Sequence, residues 1–158
     1  MTTTTELQQY LHEHIPLSAA MGVTVLQVSP ERVLLAAPLD RNINHRQTVF
    51  GGSASAVAIL AAWSLVQVRL QQQKLSCRLV IQSNTMAYDR PISGDFTAEA
   101  ALPPAGSWQA FERLLQRRGK ARITVMSVLL FEGLTAGRFS GEFVALSASH
   151  STGLSARD

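Results

Sequence analysis

The stretch that decides the fold is NINHRQTVFGGSASAVAILAAWSLV, which covers residues 42–66. It begins as a polar loop, and Gly51 and Gly52 then introduce a segment rich in alanine and leucine. Residues 54–73 contain no proline or glycine and are apolar on nearly every side until Gln67. This pattern predicts a long helix that is buried over most of its surface.

Strand patterns lie on both sides of this helix. Two β-type segments precede it, and the turn Ser29-Pro30-Glu31 between them predicts a hairpin. The sequence after it is mostly β-type, with a bend at Tyr88-Asp89-Arg90-Pro91 and one short helix that Ser107 caps. The predicted strands are residues 23–28, 32–39, 75–82, 95–102, 121–131 and 137–146, and the predicted short helices are residues 5–12, opened by a capping box of Thr5 and Gln8, and residues 108–118.

This order of elements favours one antiparallel sheet wrapped around one apolar helix, because each must bury its apolar face against the other. That arrangement is the hotdog architecture of the α+β class. A sheet with helices on one face is an alternative that the order of elements leaves open. We expect one domain over residues 1–146 and a disordered polar tail over residues 147–158.

Composition narrows the class of protein. The chain has 158 residues, 46% of them hydrophobic, which favours a single domain with a substantial core. Only 16% of the residues are charged, so we expect a second copy to cover part of the surface in a homodimer. The net charge of +3 suits an acidic partner without indicating nucleic acid. The single cysteine, Cys77, excludes an intrachain disulfide and fits a reducing compartment.

We expect a cytoplasmic protein that binds no membrane, metal or nucleic acid. Residues 1–10, MTTTTELQQY, lack the basic and apolar regions of a secretory signal. The longest apolar stretch, residues 54–66, is shorter than the roughly 20 residues of a membrane span. His12 and His14 are not a convincing metal pair, and the basic residues near 113–122 lack the aromatic pattern of nucleic-acid sites.

The junction between the polar loop and the helix is the candidate catalytic site. Glycines let a ligand approach the backbone closely, and the first N–H groups of a helix lack intrahelical partners and lie in positive potential. The Gly52 N–H and the Asn44 side chain would together donate hydrogen bonds to a thioester oxygen that gains charge. An ordinary glycine-rich helix start, with asparagines that satisfy loop backbone, fits the same residues.

The stretch at residues 42–66 resembles the signature of the YiiD C-terminal-type hotdog domains. These resemble a broader thioesterase superfamily, whose members carry Asn-x-x-Gly-Thr-x-His-Gly-Gly before the central helix. The segment YDRPISGD, residues 88–95, is similar to a pattern that those domains show between strands, and the resemblance spans about residues 15–146. It implies a hotdog fold and an acyl thioester substrate, carried on the phosphopantetheine arm of acyl carrier protein or coenzyme A, with no other cofactor.

Three positions depart from the pattern of the family. Many hotdog thioesterases have an acidic residue on the central helix, seven residues past the second glycine, where this chain has Ile59. The usual histidine before the two glycines is Phe50, and the usual glycine before the threonine is Gln47. Hydrolysis needs a base or a nucleophile, so the missing carboxylate argues against the common thioesterase route.

Decarboxylation of a malonyl thioester needs neither group. It needs donors at the thioester oxygen and a poorly solvated place for the leaving carboxylate. YiiD-type domains are associated with malonyl-acyl carrier protein decarboxylation, which primes fatty acid synthesis, so the resemblance ranks a decarboxylase first, a thioesterase second and a non-catalytic acyl-binding protein third. The expected catalytic residues are Asn44 and Gly52, and the expected substrate-binding residues are Thr48, Phe50, Gly51, Ser53, Ile59 and Trp63.

Other polar residues are weaker candidates. His45 is expected to be a loop or subunit-contact residue. Asp89 is expected to be a solvated turn carboxylate, with entry into the site as a base as the alternative. The basic run is either a solvated surface or a docking surface for an acidic carrier protein, and it consists of Arg113, Arg117, Arg118, Lys120 and Arg122.

Overall fold

The structure is a computed structural model that describes residues 2–148. Four helices and six strands follow one another along these residues. In chain order they are α1 (Thr4–His14), α2 (Pro16–Ala20), β1 (Thr24–Val28), β2 (Arg32–Ala37), α3 (Gly51–Gln72), β3 (Cys77–Tyr88), β4 (Phe96–Ala101), α4 (Ala105–Arg118), β5 (Lys120–Phe131) and β6 (Leu134–Ser147).

The six strands form one antiparallel sheet in the order β1-β2-β4-β5-β6-β3. Helix α3 lies against the inner face of this sheet, where the buried Ser127 hydroxyl of β5 donates a hydrogen bond to the Ala58 carbonyl at 2.8 Å. Apolar side chains of the inner face, such as Phe139 and Phe143, are almost fully buried. The predicted hotdog architecture is therefore confirmed.

Helix α3 is longer than the apolar stretch at residues 54–66. It has 22 residues, begins at Gly51 and has no charged side chain before Arg69. By length and composition it would cross a bilayer, yet 61% of its most apolar window is buried inside the protein. Burial against the sheet accounts for its apolar character, because a core helix must be apolar on most sides.

Helix α3 and strand β5 run in opposite directions, and this fixes which residues lie at each end of α3. Leu129, near the end of β5, lines the same cavity as Gly51 at the start of the helix. At the other end, the Arg69 guanidinium lies 4.9 Å from the ring centroid of Trp108 in α4. The start of β5 and the C-terminal end of α4 are therefore far from Gly51.

Two helices begin at residues other than those predicted. Helix α1 is capped by Thr3 rather than Thr5: the Glu6 N–H donates to the Thr3 hydroxyl at 3.2 Å, and the Thr3 N–H donates to the Glu6 carboxylate at 2.8 Å. Helix α4 begins at Ala105, directly after Pro104, and not after Ser107. Proline suits the start of a helix because the first N–H groups have no intrahelical acceptor.

Two strands are longer than predicted. Strand β3 continues past residue 82 to Tyr88, because its polar second half pairs with β6 after a register shift between Ile81 and Ser83. Strand β6 begins at Leu134 instead of residue 137 and runs to Ser147, one residue into the predicted tail. The other strand ends coincide with the prediction or differ from it by at most two residues. Residues 149–158 of the predicted tail lie outside the described residues.

Candidate active site

The loop before α3 folds back on itself as a short hairpin. The Asn44 N–H donates to the Thr48 carbonyl at 2.8 Å, Ile43 and Val49 form an antiparallel bridge, and the Phe50 N–H donates to the Asn42 carbonyl at 2.7 Å. The hairpin therefore brings Asn44 beside Thr48, two residues before the residue that caps α3. This explains why an asparagine and a threonine four residues apart form one unit of the site.

Asn42 anchors this hairpin to the rest of the protein, a role that the sequence analysis missed. Its side chain is 2% exposed, and its amide donates to the Met21 carbonyl at 2.9 Å and to the Pro38 carbonyl at 2.7 Å. A buried amide that satisfies two loop carbonyls stabilises their arrangement, since unpaired buried carbonyls are costly. The sequence gives no local signal for this role because both acceptors are set by tertiary structure.

The Asn44 side chain is held in one orientation by three hydrogen bonds. Its Oδ1 accepts from the N–H groups of Arg46 at 2.8 Å and Thr48 at 3.1 Å, and its Nδ2 donates to the Thr48 hydroxyl at 2.9 Å. An amide nitrogen has two protons, so one N–H of Asn44 is left for a ligand. The side chain is half-buried, and its position in the hairpin is compatible with the predicted donor role.

Gln47 occupies the hairpin position where the superfamily pattern has glycine, and its backbone is left-handed with φ of 62°. Residues with a Cβ adopt this conformation at a cost, whereas glycine adopts it freely. Glutamine in place of glycine therefore makes this loop conformation less stable, while the backbone still adopts it.

The first turn of α3 presents open N–H donors. Phe50, the N-cap residue, supplies no side-chain acceptor, and within residues 2–148 the N–H groups of Gly51, Gly52 and Ser53 find no hydrogen-bond partner. A side chain at Gly52 would overlap the Phe50 ring, which is 57% exposed at the mouth of the site. The glycine thus lets the Phe50 ring pack against the helix start while Gly52 stays exposed, and the helix dipole favours a developing negative charge there.

Ile59 and Trp63 lie on the same side of α3 as Gly52. Residues 52, 55, 59 and 63 follow the spacing of one helix face, and none of them is fully buried, in contrast to the 11 buried residues of the helix. The Trp63 indole N–H donates to the Leu79 carbonyl of β3 at 3.2 Å, so this face lies beside the β3 edge of the sheet. We call residues Gly52, Ser55, Ile59 and Trp63 the open stripe of α3.

A second concave region lies on another side of the helix start. A cavity of about 270 Å³ is bounded by Gly51, Ala54, the bend after β3, and residues of β5 and β6. The Tyr88 ring forms its wall next to Gly51, where its edge would lie 3.5 Å from a Cβ at that position. The predicted site residues are therefore divided: Gly52, Ile59 and Trp63 share the open stripe, Asn44 and Thr48 share the hairpin, and Gly51 borders the cavity.

Asp89 belongs to this cavity rather than to an isolated solvated turn. Its two carboxylate oxygens accept hydrogen bonds from Arg138 of β6 at 2.8 and 3.0 Å. This bidentate contact holds the pKa of Asp89 below its ordinary value, with Arg90 adding a smaller effect in the same direction. Asp89 is therefore ionised at neutral pH beside the start of α3.

The basic run, interpreted as either a solvated surface or a carrier-docking surface, lies away from this site. Trp108 of α4 contacts Arg69, and 17 residues of helix at 1.5 Å each separate Arg69 from Gly52 by about 25 Å. Lys120 begins β5, whose other end is the one close to Gly51. The cations near the helix start are instead Arg46 in the hairpin tip and Arg90 in the cavity wall, both exposed.

Two further histidines, His45 and His12, lie in the hairpin tip and beside a backbone carbonyl, respectively. His45 is exposed in the hairpin tip, as predicted for a loop residue, and a His12 ring nitrogen lies 2.8 Å from the Val23 carbonyl. Across the described part of the chain, no three histidine, cysteine, aspartate or glutamate side chains come together as a metal site requires.

A six-stranded antiparallel sheet around one central helix, with open donors at the start of that helix, defines the hotdog class. The family model YiiD_C, described as "Putative thioesterase (yiiD_Cterm)", matches residues 4–147. The chain belongs to this family.

Solved structures with the same fold agree with this assignment. A protein of unknown function from Chlorobaculum tepidum has 29% identity and a TM-score of 0.86, and the match covers 91% of this chain and 94% of that one. A "putative thioesterase" from Shewanella oneidensis has 25% identity and a TM-score of 0.81, covering 90% and 96%. A thioesterase from Haemophilus influenzae, at 14% identity and a TM-score of 0.74, covers 93% and 92% and shows the fold alone.

The left-handed backbone at Gln47 generates a stability prediction. Gln47→Gly should raise the free energy of unfolding by about 1 kcal/mol, because glycine removes the Cβ strain at positive φ. The matched control is Gln109→Gly, at an exposed position of α4 without positive φ, where glycine lowers helix propensity, so stability should fall. Urea unfolding of both variants measures the difference. Destabilisation by both substitutions would contradict the assigned conformation.

Proposed function

We propose that this protein decarboxylates a malonyl thioester, carried on acyl carrier protein or coenzyme A, to the acetyl thioester. The observation that carries the proposal is a helix start with open N–H donors on a helix without any carboxylate. Gly52 and Asn44 supply donors, and Ile59 occupies the position of the missing acid. Such a site polarises a thioester carbonyl but has no base on α3 to activate water.

The chemistry proceeds without a nucleophile from the protein. The bond between the malonyl carboxylate and the adjacent carbon breaks, carbon dioxide leaves, and the electron pair moves to the thioester oxygen as an enolate. The Gly52 N–H and the free Asn44 N–H donate to that oxygen as it becomes negative. A proton from water then returns to carbon and gives the acetyl thioester, which would prime fatty acid synthesis in the cytoplasm.

The open stripe of α3 suits the leaving carboxylate. Ile59 and Trp63 are apolar and half-buried, so a carboxylate beside them loses hydration. Carbon dioxide is neutral, and an apolar surface therefore favours the product over the charged group from which it forms. Phe50, Gly51, Ser53 and Thr48 complete the proposed contacts around the thioester.

A thioesterase is the second candidate, and the family description favours it. The same donors that stabilise an enolate also stabilise the oxyanion of a tetrahedral intermediate. The two reactions differ in the need for a base, and products distinguish them: carbon dioxide and an acetyl thioester from one, free acid and thiol from the other. An absence of both products would indicate a non-catalytic acyl-binding protein.

We also propose that the site is completed in a homodimer. Strand β3 is an edge of the sheet with 12 residues, and the open stripe of α3 lies beside that edge through the Trp63 contact with Leu79. Long uncovered edge strands pair readily with another chain, and antiparallel pairing of β3 with its copy is compatible with a two-fold axis. A partner there would cover the stripe and enclose the substrate.

The dimer is tested by mass in solution. Sedimentation equilibrium at micromolar concentration should give twice the chain mass of 17.1 kDa. A species with the mass of one chain over the whole concentration range would contradict the proposed pairing.

We propose that Arg46 and Arg90 attract the acidic carrier. Both are exposed near the start of α3, and neither has an ion-pair partner among residues 2–148. Cations at the rim of a site accelerate encounter with an anionic partner. Because Arg46 and Arg90 lie near the start of α3, they are better placed to attract the carrier than the basic run at the other end of α3.

Charge reversal distinguishes the two surfaces. Arg46→Glu with Arg90→Glu should raise KM for the carrier-linked substrate about tenfold at low salt, and high salt should reduce the effect. Malonyl-pantetheine, which lacks the carrier protein, should be little affected. The matched control is Arg117→Glu with Arg118→Glu, which makes the same charge change on α4. A larger effect from the control pair would contradict the proposed docking surface.

Asn44 provides the direct test of the mechanism. Asn44→Ala should lower decarboxylation by roughly 10²–10³-fold, the usual cost of one oxyanion donor. Asn44→Asp should lower it at least as far, because a carboxylate repels both the enolate and the leaving group. The Asp variant keeps the acceptor for the Arg46 and Thr48 N–H groups, so the hairpin should persist.

The readout is carbon dioxide release together with product masses, and thermal unfolding checks the fold. Gln109→Glu, a neutral-to-acidic change at an exposed position of α4, is the control for charge alone. Decarboxylation that persists in Asn44→Asp would overturn the proposed role, and a wild-type protein that releases malonate without carbon dioxide would overturn the proposed reaction.

A further inference from the structure

The bend after β3 carries the one carboxylate that lines the cavity at the start of α3. This cavity of about 270 Å³ touches Gly51 and Ala54 on one side and Asp89 and Arg90 on the other. The chemical step of decarboxylation as proposed does not use Asp89. The cavity places a carboxylate beside the open N–H donors of the helix. It therefore supplies the base for hydrolysis that α3 itself does not carry.

Backbone hydrogen bonds fix this carboxylate beside the helix. The N–H groups of Asp89 and Arg90 both donate to the Ala136 carbonyl of β6, at 2.9 and 3.1 Å. The Val49 N–H donates to the Ile92 carbonyl at 2.8 Å, which ties the end of the bend to the residue before Phe50. The bend is thus attached to the sheet at one end and to the start of α3 at the other.

The ion pair with Arg138 orients Asp89 without occupying it fully. Each carboxylate oxygen has two acceptor sites, and the guanidinium uses one on each oxygen. The remaining sites are available to water, because the Asp89 side chain is 34% exposed. Arg138 therefore fixes the orientation of Asp89 as a candidate base, while the lowered pKa makes the carboxylate a weaker base, so its role depends on position.

We propose that Asp89 is a general base that enables this site to hydrolyse short neutral acyl thioesters. This inference rests on the proposed function, since it also uses N–H donors at the start of α3 for the thioester oxygen, with Gly51 bordering the cavity. Asp89 takes a proton from water as the water oxygen bonds to the thioester carbon. The tetrahedral intermediate then collapses, the carbon–sulfur bond breaks, and the proton passes to the thiolate, which gives free acid and thiol.

Charge selects the acyl group that reacts in this way. A malonyl carboxylate in the cavity would compete with Asp89 for Arg138 and Arg90, whereas an acetyl group carries no charge. A malonyl group would therefore disturb the ion pair that orients Asp89, and a neutral acyl group is the substrate of hydrolysis. Acetyl-pantetheine and malonyl-pantetheine are accordingly the two probes.

The test compares two variants that break the same ion pair. Asp89→Asn removes the base and should lower hydrolysis of acetyl-pantetheine by at least about 100-fold, within the usual range for general bases. It should leave decarboxylation of malonyl-pantetheine near the wild-type rate. Arg138→Gln breaks the pair but keeps the carboxylate, so it should retain most of the hydrolysis. Hydroxylamine, a nucleophile that needs no base, should restore thiol release in Asp89→Asn above the enzyme-free rate.

Each result that would contradict the proposed role of Asp89 can be distinguished from a failure of the proposed decarboxylation. Wild-type hydrolysis that survives in Asp89→Asn would overturn the inference, as would equal loss of both reactions in that variant. Loss of hydrolysis in Arg138→Gln as large as in Asp89→Asn would assign the effect to the ion pair and not to the base. A wild-type protein that does not hydrolyse acetyl-pantetheine also overturns it, while carbon dioxide release from malonyl-pantetheine judges the decarboxylase separately.

Discussion

Burial of an apolar helix whose first N–H groups have no partner is the constraint on which the rest of this structure depends. Helix α3 has no charge before Arg69, so most of its surface must be covered by the sheet. Its N-terminal donors cannot be satisfied by apolar neighbours and therefore lie where a loop and a bend meet solvent. The polar hairpin, the two glycines and the bend after β3 all surround this end of the helix.

The same constraint separates the two kinds of chemistry that we propose for the site. A core helix tolerates an unpaired carboxylate poorly, because burial of an uncompensated charge is expensive. Ile59 is compatible with that burial and leaves α3 with donors alone. The carboxylate that lines the cavity at the helix start, Asp89, comes from an exposed bend and is compensated by Arg138. Polarisation of the thioester and activation of water are thus assigned to different elements of the fold.

Much of the fold could be predicted from the sequence because its signals are local. The long apolar helix, the hairpin before it and the strand patterns after it are all periodic or bounded by turn residues. The start of α1 was wrong because Thr3-x-x-Glu6 and Thr5-x-x-Gln8 both match a capping box, and pairing decides between them. The second half of β3 was missed since SNTMAY is polar and lies in an edge strand.

The candidate site was predictable only in part, for a similar reason. Asn44 and Gly52 belong to one continuous motif, so the loop and helix start could be located from sequence. The anchor at Asn42 depends on acceptors at residues 21 and 38, and the Asp89 pair with Arg138 joins residues 49 apart. The direction of α3 relative to β5, which moves the basic run away from the site, is likewise a property of tertiary structure.

The central claim is that the start of α3 polarises a thioester carbonyl, and infrared spectroscopy of a bound analogue tests it most directly. A stable ketone analogue of acetyl-coenzyme A, with a methylene in place of the sulfur and ¹³C at the carbonyl, can neither hydrolyse nor decarboxylate. Hydrogen bonds from Gly52 and Asn44 should lower its carbonyl stretching frequency on binding, and Asn44→Ala should return part of that shift. A bound carbonyl with the frequency of the free analogue would contradict the claim.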